Sequence, residues 1–139
     1  MDITLKSPSE IEKLRIVGAA TARVLEMIEP YVVPGVTTEE LDNIMNEYIQ
    51  TKENAVSADL GYQGYPKATC ISVNEVVCHG IPGPHKLREG DIVNIDVTVL
   101  KDKYYGDSSR MYIVGRTSPR NEQLCKCAQE AMYAAIRTV

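Results

Sequence analysis

Between Ile92 and Leu100 apolar and polar side chains alternate without a break. Val93, Ile95, Val97 and Val99 share one face of such a segment, and Asn94, Asp96 and Thr98 share the other. Strict period-two alternation predicts a β-strand with one face in a core and one face free. A second strand-like run covers residues 104–114, so the pair reads as a hairpin turning around Lys101-Asp102. Centred there, the hairpin sets Asp96 directly opposite Asp107, Thr98 opposite Tyr105 and Asn94 opposite Ser109. A bulge would shift this register, and Gly106 is a place for one. Directly opposed residues have β-carbons roughly 4.5–5.5 Å apart. Two carboxylates there repel by on the order of 3 kcal/mol at an effective dielectric near 20. Three outcomes relieve or tolerate that cost: a divalent cation held by both, one aspartate with a raised pKa, or a solvated face on which the two repel weakly.

Three segments read as helices. Ser7-Pro8-Ser9-Glu10 is a capping box with proline at the first helical position, and Ile11, Leu14, Val17, Val24, Leu25 and Ile28 follow at helical spacing until Pro30. Thr37-Thr38-Glu39-Glu40 opens a second helix, striped by Leu41, Ile44, Met45, Tyr48 and Ile49. A third opens near Ser118-Pro119 and runs through Leu124, Ala128, Met132 and Ile136 to Val139 without a stop signal, which predicts a chain cut within its last helix. Residues 59–68 and 80–84 read as loops and 69–73 as a short strand. The order is helix, helix, short strand, hairpin, helix. That predicts one α/β (α+β) domain, a hairpin-centred antiparallel sheet packed with about three helices.

Composition excludes several classes. The net charge is −4 with no basic block, which argues against a nucleic-acid partner. No apolar run approaches the roughly 20 residues of a membrane span, and Met1-Asp2-Ile3-Thr4-Leu5-Lys6 lacks the pattern of a secretory signal. Four cysteines, Cys70, Cys78, Cys125 and Cys127, then read as structural thiols of a cytoplasmic protein, not as a disulfide framework. Cys125 and Cys127, two apart on a helix, point to different faces and do not share a metal. Of two histidines, His85 reads as solvent-facing. His79, in the Val76–Pro82 segment, is either an ordinary surface or structural histidine or a functional one.

Four stretches occur in order: Gly61-Tyr62-Gln63-Gly64-Tyr65-Pro66, Ile71-Ser72-Val73-Asn74-Glu75-Val76-Val77-Cys78-His79-Gly80-Ile81-Pro82, Gly90-Asp91-Ile92-Val93-Asn94-Ile95-Asp96-Val97 and Gly106-Asp107-Ser108-Ser109. With them the whole chain resembles type I methionine aminopeptidase of the bacterial kind. The resemblance implies half of a pita-bread fold, in which two related α/β halves surround a pseudo-two-fold axis. It implies removal of the initiator methionine from nascent proteins when the next residue is small. It also implies two divalent ions (Mn, Co, Fe or Zn) sharing five ligands: two Asp, one His and two Glu. Asp96 and Asp107 match the two aspartates, Asp107 being the bridging one. His79 matches a histidine that contacts substrate near the scissile bond. Tyr62, Tyr65 and Cys70 match the wall of the methionine pocket, and Asn74 and Val76 match backbone positions near a monovalent cation.

Departures from the pattern set further expectations. The ligand His, both ligand Glu and the Glu usually assigned as general base belong to the family's second half, and no residue here matches them. The isolated chain is therefore expected to be inactive, or to need a dimer or a complementary second half. A symmetric homodimer would gather two Asp96 and two Asp107 into a four-carboxylate site. A lone half also leaves a strand edge and an apolar face open, which favours association. Asp59 stands where the bacterial pattern has Cys, and Asp102-Lys103 replaces an Asp-Gly turn. The competing readings are a non-catalytic half-domain, such as a folding or ancestral-half model, and a peptide or nucleic-acid adaptor. An adaptor has no use for Asp96, Asp107 and His79.

Overall fold

In a computed structural model that describes residues 4–139, helix α1 runs Pro8–Ile28 and α2 runs Thr38–Thr51. Met1–Ile3, part of the stretch read for a targeting signal, lie outside the described residues. Both capping boxes form as expected: Ser7 and Glu10 close one, Thr37 and Glu40 the other. Each reciprocal cap satisfies two helix-end N–H groups that would otherwise lack partners. A short turn of tight helix at Glu29–Tyr31 ends α1 at its proline.

The sheet has four antiparallel strands: β1 (Val56–Ser57), β2 (Cys70–Val73), β3 (Ile92–Lys101) and β4 (Tyr104–Ile113). β3 is central. β4 pairs along its full length on one side, while β1 and β2 share the other. β1 has no counterpart in the sequence reading. The register differs from the expected one by two residues: Asp96 faces Ser109, Thr98 faces Asp107 and Asn94 faces Met111. The cause is the turn. Lys101 pairs with Tyr104, so Asp102 and Lys103 form a two-residue loop with φ of 51° and 70°. Positive φ at both central residues is the requirement of a type I′ turn, whose twist matches the flanking strands. No bulge occurs at Gly106, which pairs in register with Val99. Its missing side chain serves α1 instead. A Cβ there would lie 2.6 Å from Val17 O, and the Thr21 hydroxyl donates to Gly106 O at 2.9 Å.

The core lies between one sheet face and the first two helices. Val93, Ile95, Val97 and Val99 are fully buried against Val17, Val24 and Ile28 of α1 and Leu41, Met45 and Ile49 of α2. Burying each such side chain is worth about 1.5–3 kcal/mol. Polar ties close the same layer. Arg23 holds the Glu53 carboxylate with two bonds, at 2.8 and 2.6 Å. The Tyr112 hydroxyl donates to Leu25 O at 2.6 Å, and burial pushes its pKa up to about 12.

Helix α3 (Pro119–Ile136) starts at the expected Ser118 cap but closes at Ile136, short of the expected Val139. It buries no residue. Leu124, Met132, Tyr133 and Ile136 are all about half exposed.

Candidate active site

With α1 and α2 covering one sheet face, the other carries Cys70 and Ser72 of β2, Asn94, Asp96 and Thr98 of β3, and Asp107 of β4. The two-residue change in register keeps both aspartates on this face, because side chains alternate with a period of two. It makes them diagonal neighbours instead of a directly opposed pair, roughly 7–8 Å apart along the backbone. They still sense each other. The Asp96 carboxyl is raised above its ordinary range by burial first and then by the charge of Asp107, with His79 acting in the opposite direction. Cys70 lies directly across from Asp96, and burial pushes its thiol pKa up as well.

The loop before β2 is fixed by a residue the sequence reading did not single out. Asp42 of α2 is buried and accepts from Thr69 N at 2.9 Å, the Thr69 hydroxyl at 2.8 Å and Ala68 N at 3.1 Å. Desolvation outweighs these bonds and pushes its carboxyl up. Asp42 falls at a core-facing position of an otherwise apolar stripe, and that misfit was the available signal. The Tyr65 hydroxyl continues the tie, donating toward Thr69 O at 3.0 Å and Gly80 O at 3.2 Å.

His79 is exposed and adopts φ of 54°, the left-handed region that a side chain rarely visits. Its neighbour explains why. Gly80 lies hard against β2: Ile71 N donates to Gly80 O at 2.9 Å, and Gly80 N donates to Ser72 Oγ at 3.1 Å. A Cβ at Gly80 would sit 2.2 Å from Ile71 O. The close approach fixes the chain on one side of His79, and such a conformation costs on the order of 1–3 kcal/mol, a cost met most often at functional sites.

A cavity of ≈ 540 Å³ gathers Tyr62, Tyr65, Cys70, His79, Asp96 and Asp107. Asp59, Thr98 and Ile81 also line it. Asn74 and Val76 do not reach it. They line an adjoining groove of ≈ 420 Å³ that shares Asp96. Asn74 has φ of 53°; its side-chain amide donates to Asp91 Oδ1 at 2.9 Å, and its side-chain oxygen accepts from Ile92 N at 3.1 Å. His85 is exposed, as expected. All four cysteines are free thiols. Among the described residues, no group of three or more His, Cys, Asp or Glu stands close enough to hold a metal ion.

Metallopeptidase family M24 matches residues 12–139. The chain belongs to that family. It is 59% identical to methionine aminopeptidase of Escherichia coli strain K12 over 140 aligned residues, covering 100% of this chain and 53% of that protein. The crystal structure of methionine aminopeptidase from Rickettsia prowazekii superposes with a TM-score of 0.93 at 43% identity, over 95% of this chain and 53% of the other. That of Thermotoga maritima gives 0.93 at 40% identity, over 99% and 55%. The fold matches about half of the pita-bread fold of these M24 proteins, as the sequence resemblance implied. The chain spans about half the length of the curated relatives it matches.

Proposed function

We propose that this M24 chain carries one half of a dinuclear aminopeptidase centre and takes part in removing methionine from the N-termini of peptides and nascent chains. The observation that carries the reading is the meeting of Asp96, Asp107 and His79 in one cavity with Tyr62, Tyr65 and Cys70. Two carboxylates are donors that suit Mn, and a histidine ligand from outside this chain would let Fe, Co or Zn compete. Burial and the charge of Asp107 both oppose ionisation of Asp96, and a cation held between the two carboxylates would offset both effects. Asp96 and Asp107 would hold the metal. When bound, it supplies a water of lowered pKa and a Lewis acid for the peptide carbonyl. His79 would hydrogen-bond substrate beside the scissile bond. Tyr62, Tyr65 and Cys70 would wall the side-chain pocket, where a flexible thioether meets polarisable partners. Asn74 and Val76 would lie near a monovalent cation in the adjoining groove.

Two aspartates fall short of a working shell, since catalytic metals take about three protein ligands plus an open position. The remaining ligands come from outside this chain in our reading, from a second copy or a complementary second half. A symmetric homodimer supplies four carboxylates. The protein is read as cytoplasmic, with neither nucleic acid nor membrane as a partner. Among the described residues, no helix is long and apolar enough to cross a membrane.

Hydrolysis of a Met-Ala-Ser peptide with added Mn or Co tests this, with size fractions assayed separately and Asp107→Asn alongside. Metal-dependent turnover confined to the associated form, or to chain mixed with a second half, and lost in the variant, is the expected result. Turnover that survives in Asp107→Asn contradicts the reading. Metal binding without turnover in any form favours a non-catalytic half-domain, which the two-aspartate donor set also allows.

A further inference from the structure

The groove beside the cavity has a thiol in each wall. Its floor is the free face of the sheet, at Asn94, Asp96 and Met111. One wall is the loop after β2, with Val77 and Cys78. The other is the first half of α3, where Leu124, Cys125 and Ala128 share one side of the helix. Cys78 is exposed, Cys125 is partly buried, and both are free thiols. Burial pushes the Cys125 thiol up, so the exposed Cys78 is the sulfur that meets an oxidant first. Cys127 is not part of this face; it is exposed, and its sulfur accepts from the Gln123 side-chain amide at 3.0 Å. The two walls are held differently. The loop is tied down on both sides of Cys78, through Asn74 to Asp91 and Ile92 and through Gly80 to Ile71 and Ser72. Helix α3 buries no residue, so few packed contacts oppose its settling toward the loop.

We propose that Cys78 and Cys125 form a reversible disulfide under peroxide, which closes the groove beside Asp96 and fixes α3 to the loop that carries His79. The Cys78 thiolate attacks the peroxide: an S–O bond forms, the O–O bond breaks, and hydroxide leaves with the thiol's proton as water. The Cys125 sulfur then attacks the sulfenic acid: the S–S bond forms, the S–O bond breaks, and a second water leaves with the Cys125 proton. Two thiols together lose two electrons, and one peroxide is reduced to two waters. A disulfide holds its Cα atoms roughly 4.4–6.8 Å apart, so the bridged walls meet above the floor. In a reducing compartment such a bridge is transient and redox-sensing, not a structural staple. The step uses no bound metal and does not depend on what the cavity binds.

The test is peptide mapping without reductant, after the full chain is treated with hydrogen peroxide and capped with N-ethylmaleimide, in buffer and in urea. In buffer Cys78 is expected joined to Cys125 of the same chain, with the loss of two hydrogens and reversal by dithiothreitol. Its yield is expected to exceed that in urea by about tenfold, because unfolding frees Cys70, whose shorter loop to Cys78 closes more readily. Cys127→Ser is expected to leave the bridge in place. Cys125→Ser is expected to strand Cys78 as a sulfenic acid that dimedone traps. A native wild type in which Cys78 is oxidised while Cys125 remains a thiol would overturn the proposal. So would pairing of Cys78 with Cys127 or with a second chain, equal yields in buffer and urea, or two unreacted thiols in excess peroxide.

Discussion

A hydrogen atom is all that position 80 accommodates. The approach of Gly80 to Ile71 leaves 2.2 Å for a Cβ, against a backbone oxygen that belongs to β2 and cannot swing away. Gly80→Ala is therefore expected to cost about 2–3 kcal/mol, as overpacking against rigid backbone does. Urea unfolding measures it, and a loss under about 0.5 kcal/mol, the range of an ordinary surface substitution, would show that the loop gives way freely. His79 bears the same constraint in its left-handed backbone. The sequence showed His79 within a Gly- and Pro-rich segment, but it did not show why. The reason is a contact with a strand that ends several residues earlier, and such contacts leave no local trace. Asp42 is similar. Its bonds to Ala68 and Thr69 reach across 26 and 27 positions, so only its misfit in an apolar stripe hinted at them.

Among elements, the helices were legible because caps are local. Ser7, Thr37 and Ser118 each start a helix where the reading put it. The hairpin was legible as a hairpin but not in register. Alternation fixes which face a residue takes and is blind to a slip of two, so the turn decides. Asp102-Lys103 lacks the glycine that marks a two-residue loop, and the centre was misplaced in consequence. β1 escaped because two residues carry no periodicity. The link between α1 and the segment after α2 yields a pH prediction. Arg23 holds the Glu53 carboxyl below its ordinary range, chiefly by hydrogen bonding. As pH falls the unfolded chain binds its proton first. The pair's contribution is complete above the ordinary carboxylate range and is lost as pH drops through the lowered value. Melting between about pH 7 and pH 3 is expected to show a smaller acid loss in Glu53→Gln than in wild type. Equal losses would mean that the pair adds nothing to acid stability.

The whole molecule is lopsided. Core, α1 and α2 fill one side of the sheet, while the carboxylates, the cavity and the unburied α3 occupy the other. The outer edge of β4 pairs with no strand among the described residues. Relatives of about twice this length share the fold, and in our proposal a second copy or a second half covers both the cavity and the exposed face of α3. That proposal depends above all on Asp96 and Asp107 acting together as ligands. Titration of the full chain with Mn(II), followed by the electron paramagnetic resonance signal of the free ion, tests this directly beside Asp96→Asn and Asp107→Asn. Saturable binding in wild type that either substitution abolishes is the predicted result. Binding that neither variant disturbs, or none in wild type at any chain concentration, would contradict it.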